Sequence, residues 1–268
     1  MAVGRAEDAN RRWSRMLAEW SIPDQLIASA PESPYFFDPA VFIGIADDAL
    51  ARSADTPSDA IAREALPPRG FVLDVGVGAG GASLRLEAGR VVGVDRSGEL
   101  LAGFAERAAK RRLAVTLLEG TWPDVASQAP VVEVAVCHHV IYNVSDLAAF
   151  AEALSSHARS RVVLEATTVH PMAWMAPYWN ALYDLSQPNH PKIEDAIEVL
   201  EALGFQVHHR QWQRPYQMIG ETGPDQLARI ARRLCLPQSR HDELREILAT
   251  TPPPDERQVA TIWWDTSA

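Results

Sequence analysis

Apolar residues recur with helical spacing near the start of the chain. Trp13, Met16, Leu17 and Trp20 stand at i, i+3, i+4 and i+7, with Arg11, Arg12, Arg15 and Glu19 between them, which predicts an amphipathic helix. Ser21-Ile22-Pro23-Asp24 begins a new element, since proline suits a helix start. The stretch from Pro31 to Pro39 holds three prolines and is expected to be irregular. A helix over about Ala40 to Ser53, a loop near Thr56 and a short helix ending at Pro67-Pro68 are expected next.

At Gly70 the pattern changes to short runs rich in Val and Leu. These are 71–75, 91–95, 114–118, 131–136 and 161–165, and each reads as a strand covered on both faces. Helical stretches at Glu99–Arg112 and Ser145–Ala158 separate some of them, so the alternation predicts a parallel sheet with right-handed crossovers. The segment Thr167–Pro191 interrupts it with Trp174, Tyr178, Trp179, Tyr183 and four prolines. Ile193, Ala196, Ile197, Leu200 and Leu203 then form a helical stripe that stops at Gly204. A sixth strand is expected over Phe205–Trp212, helices near Pro224–Leu236 and His241–Ala249, and a last strand over Val259–Trp264.

The chain has 268 residues, 47% of them hydrophobic and 22% charged, which is enough to bury a full core without disulfides or a structural metal. Its net charge of −10 argues against a broad nucleic-acid footprint. Arg107, Lys110, Arg111 and Arg112 form one local basic cluster at a helix end and read as a solvated face. Two distant cysteines, Cys137 and Cys235, make neither a disulfide scaffold nor a Cys-rich zinc module. No run is long enough for a membrane span and the first residues have no signal-peptide core, so a soluble, cytoplasmic protein is expected.

The most informative segment is Leu73-Asp74-Val75-Gly76-Val77-Gly78-Ala79-Gly80-Gly81, which follows a predicted strand and is expected to open a helix. Glycine there permits a tight turn and lets a ligand approach the backbone. Asp95 ends the next predicted strand, where a carboxylate can accept both hydroxyls of a ribose. Gly76, Gly78 and Gly81 also satisfy the dinucleotide pattern G-x-G-x-x-G. A carboxylate at Asp74 would repel a pyrophosphate but favour the cationic end of S-adenosylmethionine.

Asp74–Gly80 resembles motif I of the class I S-adenosylmethionine-dependent methyltransferases, and Asp95 resembles that family's acid after strand two. The resemblance covers about Gly70 to Gly204, and the last two strands resemble the hairpin that closes the family's sheet. It implies an α/β, Rossmann-like seven-stranded sheet, mostly parallel with the last strand antiparallel and helices on both faces. Residues 1–66 would form an N-terminal helical cap. Residues 67–268 would form the methyltransferase domain, with helical inserts at about 167–192 and 221–256. It also implies cofactor contacts at Asp74, Gly76, Gly78, Gly80, Asp95, Arg96, Gly120, Thr121, Trp122 and His138. Thr121 stands where the family often has an acid, and Ser155–Arg159 replaces its usual Pro-Gly-Gly turn.

Methyl transfer needs the acceptor held in line, and a base assists an oxygen or nitrogen acceptor that must lose a proton. His138 and His139 follow strand four, and His170 follows strand five, so these three are the candidate bases. The bland alternative is that one histidine supports the cofactor and another packs. Glu165 could orient one of them. His208 and His209 on strand six are expected to be structural or exposed. Tyr35, Phe36, Tyr142, Trp174 and Trp179 are candidate walls of an acceptor pocket. The residues after strands four and five are not the acids that magnesium needs, so no metal is expected. These features predict metal-independent transfer to an oxygen or nitrogen of a small molecule, giving S-adenosylhomocysteine, with no nucleic-acid or membrane partner. A nicotinamide-dependent oxidoreductase and a catalytically silent S-adenosylmethionine-binding protein are the alternatives.

Overall fold

The computed structural model describes residues 2–36, 38–215 and 224–266. Seven strands form one sheet: β1 (Phe71–Val75), β2 (Arg90–Asp95), β3 (Ala114–Glu119), β4 (Val132–His138), β5 (Ala158–Thr167), β6 (His208–Pro215) and β7 (Glu256–Asp265). Their order is β3-β2-β1-β4-β5-β7-β6, and β7 runs antiparallel to both β5 and β6. Strand order reverses between β1 and β4, so the carboxyl ends of these two strands open a crevice where ligands bind in such sheets.

Alternation along the central strands separates two cores. Leu73, Ala135, Val162 and Leu164 face a cluster completed by α6 (Leu147–His157), α8 (Ile193–Ala202) and Trp13 of α1 (Ala2–Ala18). Trp13 is fully buried, and its Nε1 donates to Val144 O at 2.8 Å. Val72, Val134, Val136 and Val163 face the opposite cluster, covered by α4 (Pro57–Ala65) and α5 (Gly98–Lys110). A capping box between Thr56 and Asp59 starts α4, and Ser97 caps α5 by accepting from Leu100 N. The second helix of the chain, α2 (Asp24–Ser29), packs elsewhere. Ile22 and Leu26 join a third cluster with α7 (Ala176–Tyr183), α9 (Pro224–Arg233) and α10 (His241–Thr250). That layer is therefore assembled from three separate parts of the sequence.

The expected helix after the glycine loop does not form. Residues 76–89 contain only a single 3₁₀ turn at Ser83–Arg85. Helix α3 (Pro39–Ala51) takes the space beside the loop: a Cβ on Gly81 would lie 3.4 Å from Ala46 Cα and 3.5 Å from Ala49 Cβ. Arg85 then ties the loop to the end of α3. Its Nη1 donates to Ala49 O at 2.6 Å and Arg52 O at 2.9 Å, and its Nε to Asp59 Oδ2 at 3.0 Å. Arg107 is also not part of a solvated face, because its guanidinium pairs with Asp47 of α3 at 2.7 and 2.8 Å.

Three further expectations change in detail. Helix α1 ends at Ala18, so Trp20 lies beyond it and stacks on His170 instead. β3 is the sheet's edge, and Leu117 is exposed rather than covered on both faces. β6 begins at His208, three residues later than expected, because Phe205 leaves the ladder to stack on Trp264 at 5.0 Å.

Candidate active site

The glycine loop is held by backbone bonds at the carboxyl end of β1. Gly76 N and Val77 N both donate to Val94 O, at 2.8 and 3.0 Å. Gly76 has φ +73°, and a Cβ there would stand 2.3 Å from Val140 Cγ2, so this position demands glycine for both conformation and space. Gly78 differs. Its φ is +52°, yet a Cβ would meet nothing within 4 Å, which leaves an open approach over the loop. Gly80 turns inward, where a Cβ would strike Leu84 and Phe104.

Asp95 joins the loop to the end of β2. One carboxylate oxygen accepts from Gly78 N at 2.9 Å and the other from Ser97 N at 3.0 Å. Each oxygen retains acceptor capacity for a ribose. Gly120 N donates to Asp95 O at 2.9 Å, so the start of the next loop is placed beside it. Arg96 and Thr121 are exposed at this rim. Trp122 is not available as an adenine wall. Its indole is buried in the core, donating to Phe150 O at 3.4 Å and meeting His157 edge-on.

A row of polar side chains crosses the sheet on the α4 face. Asp74 of β1, His138 of β4, Glu165 of β5 and Thr261 of β7 all point to that side by strand parity. His138 and Glu165 are direct register partners, as are Glu165 and Thr261. Ser58 of α4 closes the row from above, with its Oγ 2.7 Å from both Glu165 Oε2 and Thr261 Oγ1. Trp212 Nε1 donates to the same Thr261 hydroxyl at 3.0 Å. The other Glu165 oxygen accepts from Arg214 Nη1 at 2.9 Å and lies 3.0 Å from His139 Nε2. Burial alone would raise the Glu165 pKa, but His138, His139 and Arg214 outweigh it and hold the carboxyl well below its usual range.

The cofactor end of the row is less satisfied. Asp74 is 1% exposed and accepts from Ser83 N at 3.3 Å through Oδ2, while Oδ1 is buried with no hydrogen-bond partner. Burial raises its pKa to about 6, against the opposing pull of Ser83 and His138. His138 Nε2 is likewise buried and unpartnered. Its Nδ1 lies 4.0 Å from Glu165 Oε2. The orphaned Asp74 oxygen beside an open glycine is an acceptor that an ammonium-bearing ligand such as S-adenosylmethionine satisfies. A pyrophosphate fits poorly here, since the loop leads into no helix N-terminus and Asp74 lies beneath it.

The three candidate bases are not equivalent. His139 sits in the left-handed region at φ +60°, with its N–H on Glu165 O and its Nε2 between Glu165 and Arg214. Burial lowers its pKa to about 4 despite Glu165. His170 accepts Met172 N–H at Nδ1, which places its ring proton on Nε2 and leaves no free lone pair; burial lowers its pKa to about 4. Its ring stacks on Trp20 at 3.9 Å. Among the described residues, His138 is the one of the three with a fully buried ring nitrogen that has no hydrogen-bond partner.

Of the expected pocket walls, Tyr142 and Trp179 are spent on packing. Tyr142 donates to Thr167 O at 2.9 Å and lies against Trp13 and His170, and Trp179 is buried in the third cluster. Tyr35 and Phe36 are exposed, and Phe36 lies under the Arg232 guanidinium. Trp174 is half-buried, edge-on to Tyr178. Residues absent from the expected site are Ser58, Thr261 and Arg214. None of them left a trace in the sequence: the expected sixth strand stops at Trp212, short of Arg214, whereas β6 runs on to Pro215.

Residues 72–160 match the model of a family described as a methyltransferase domain. No curated protein matches the chain in sequence. Among solved structures, a candidate methyltransferase of Bacillus halodurans C-125 is similar with TM-score 0.53 and 15% identity, over 79% of this chain and 97% of that one. The YcgJ protein of Bacillus subtilis gives TM-score 0.53 and 17% identity, over 79% and 98% of the two chains. TehB of Haemophilus influenzae gives TM-score 0.50 and 14% identity, over 81% and 64%. The fold, the glycine loop and the matched segment support a class I S-adenosylmethionine-dependent methyltransferase. The methyltransferase domain over residues 72–160 supports an enzyme that uses S-adenosylmethionine as its cofactor.

Proposed function

We propose that the chain methylates an oxygen or nitrogen of a small-molecule acceptor, without a metal ion, using His138 as the base. The observation that carries this reading is the pair of His138 nitrogens. Nδ1 faces the ionised Glu165, which favours the tautomer with the proton on Nδ1. That leaves the lone pair on Nε2, which is buried and has no partner. The 4.0 Å separation is longer than a hydrogen bond, as catalytic contacts often are before substrate binds. When bound, S-adenosylmethionine supplies an electrophilic methyl group on a sulfonium sulfur and leaves as the neutral thioether. Asp74 Oδ1 would hold its ammonium group, the Gly76–Gly80 backbone would pass beneath it, and Asp95 would take the ribose hydroxyls. His138 Nε2 would accept the proton that the acceptor atom loses as its new bond to carbon forms.

The layer of α2, α7, α9 and α10, with the loop bearing Tyr35 and Phe36, is the proposed cover of the acceptor. Trp174 would supply an apolar wall, and exclusion of water there would strengthen the Glu165–His138 interaction. Glu165 is already engaged by Ser58, Arg214 and His139, so it is poorly placed to serve as a metal ligand. Both cysteines are free and buried, and no helix among the described residues is long and apolar enough to cross a membrane. These features support a cytoplasmic enzyme.

The test is S-adenosylhomocysteine release with a panel of phenols, carboxylic acids and amines. His138→Gln should lower kcat about 10²-fold or more, the usual contribution of a general base, while S-adenosylhomocysteine affinity stays within threefold. Undiminished kcat in that variant, or methylation confined to carbon, would overturn the reading.

A further inference from the structure

Glu165 is held by a chain of buried hydrogen bonds whose directions follow from the chemistry of its members. The Trp212 indole N–H can only donate, so Thr261 Oγ1 accepts from it at 3.0 Å. The ionised Glu165 can only accept, so the Ser58 hydroxyl proton goes to its Oε2 at 2.7 Å. The 2.7 Å contact between Ser58 and Thr261 then has one solution: Thr261 donates and Ser58 accepts. The protons therefore point one way, from Trp212 through Thr261 and Ser58 to Glu165. Ser58 and Thr261 are completely buried and Glu165 nearly so, which keeps water from competing for these bonds. Arg214 Nη1 fixes the other oxygen, Oε1, at 2.9 Å. With a donor on each oxygen the plane of the carboxylate is set, and Oε2 is the oxygen nearer His138 Nδ1.

Packing alone does not call for this arrangement. Apolar side chains of similar volume would fill the space between α4 and the sheet without the cost of desolvating a charge. Val72, Val134, Val136 and Val163 do so on the same face further from the crevice, and on β1 and β4 the polar side chains begin only at the carboxyl ends, beside the cofactor loop. We infer that Ser58 and Thr261 are positioning residues for methyl transfer: the Trp212–Thr261–Ser58 chain fixes which Glu165 oxygen faces His138, and thereby the tautomer that His138 presents to the acceptor. Both act through Glu165, and neither exchanges a proton with the acceptor. This role rests on the reading of His138 as the base and deepens it. It also gives α4 and the β6–β7 pair a share in a site whose cofactor loop they do not form.

The test is nitrogen NMR of the His138 ring in the full chain, isotope-labelled in its histidines and saturated with S-adenosylhomocysteine. The wild type should show neutral His138 protonated on Nδ1 alone. Ser58→Ala frees Glu165 Oε2 from its donor and should give a mixture of both tautomers. Thr261→Val keeps the shape and removes only the hydroxyl, so it should move the ring signals the same way but less. Thr261→Ser should restore the wild-type spectrum. In turnover with the panel of phenols, carboxylic acids and amines, Ser58→Ala should lower kcat about fivefold or more, the effect of one hydrogen bond, with KM for S-adenosylmethionine within about twofold. A hydroxyl that serves only stability changes Tm and leaves tautomer and kcat as in the wild type. That result in Ser58→Ala and Thr261→Val would overturn the positioning role, as would equal disturbance by Thr261→Val and Thr261→Ser. A wild type protonated on Nε2 would instead overturn the reading of His138 as the base, so the two failures are distinguishable.

Discussion

Replacing Asp74 with asparagine separates what the buried carboxylate does for the ligand from what it does to the fold. The folded carboxyl titrates near 6 against an ordinary value of 3.8. A displacement of about two pH units corresponds to about 3 kcal/mol. Above about pH 6 both folded and unfolded states are ionised, so the wild-type fold bears the full electrostatic penalty. Between about 6 and 4 the folded state takes up its proton first, and wild-type stability rises as the pH falls. Below about 4 both states are protonated and the difference vanishes. Asparagine keeps the oxygen that accepts from Ser83 N and carries no charge. The variant should therefore be about 1–3 kcal/mol more stable at pH 7.5, less so at pH 6 and no more stable near pH 4. Urea unfolding at the three pH values measures this directly. Calorimetry at pH 7.5 should show S-adenosylhomocysteine binding weakened about 10- to 100-fold, the loss expected for a charge-assisted hydrogen bond of about 1.5–3 kcal/mol. A variant less stable than wild type at pH 7.5, or a stability difference that does not change with pH, would refute the burial argument. Unchanged affinity would refute the placing of the ammonium group.

Gly76 and Gly78 of the loop should fail differently. Gly76→Ala combines a left-handed backbone with a 2.3 Å approach to Val140 and should cost about 2–5 kcal/mol in thermal or urea melts. Gly78→Ala meets no atom, so it should cost only about 1–2 kcal/mol of backbone strain while lowering S-adenosylhomocysteine affinity at least about tenfold. Ser58→Ala leaves Glu165 Oε2 and Thr261 Oγ1 short of a buried partner, and unfolding should show a loss of about 1–3 kcal/mol. His170→Phe preserves a ring on Trp20 and should leave the pH profile of kcat unchanged; disappearance of its acidic limb would restore His170 as the base.

Much of the cofactor half was legible along the chain because it is local. The Val-rich runs are β1, β2 and β4 because short apolar segments flanked by turn residues have few other ways to be buried on both faces. The loop Gly76–Gly80 and Asp95 meet through the pairing of adjacent parallel strands, so a bond such as Gly78 N to Asp95 is implied once those strands are recognised. Expectations failed where a distant element competed for the same space. A helix after the loop is the usual continuation of such a turn, but α3 already fills that layer against Gly81. Trp122 lies one loop from the cofactor edge, yet the apolar space beneath α6 buries its indole more completely than a rim could.

The sequence by itself determined the sheet, its cofactor edge and the three histidines that stand beside it, because period, turn chemistry and residue type act over a few positions. Only the tertiary structure decided which histidine has a buried nitrogen without a partner. That choice depends on Ser58 reaching Glu165 across 107 residues and Thr261 across 203, and on Arg214 crossing β7 to the same carboxylate. No local pattern encodes such contacts. They arise because buried polar groups must find partners, and strand order brings together residues that the chain keeps far apart.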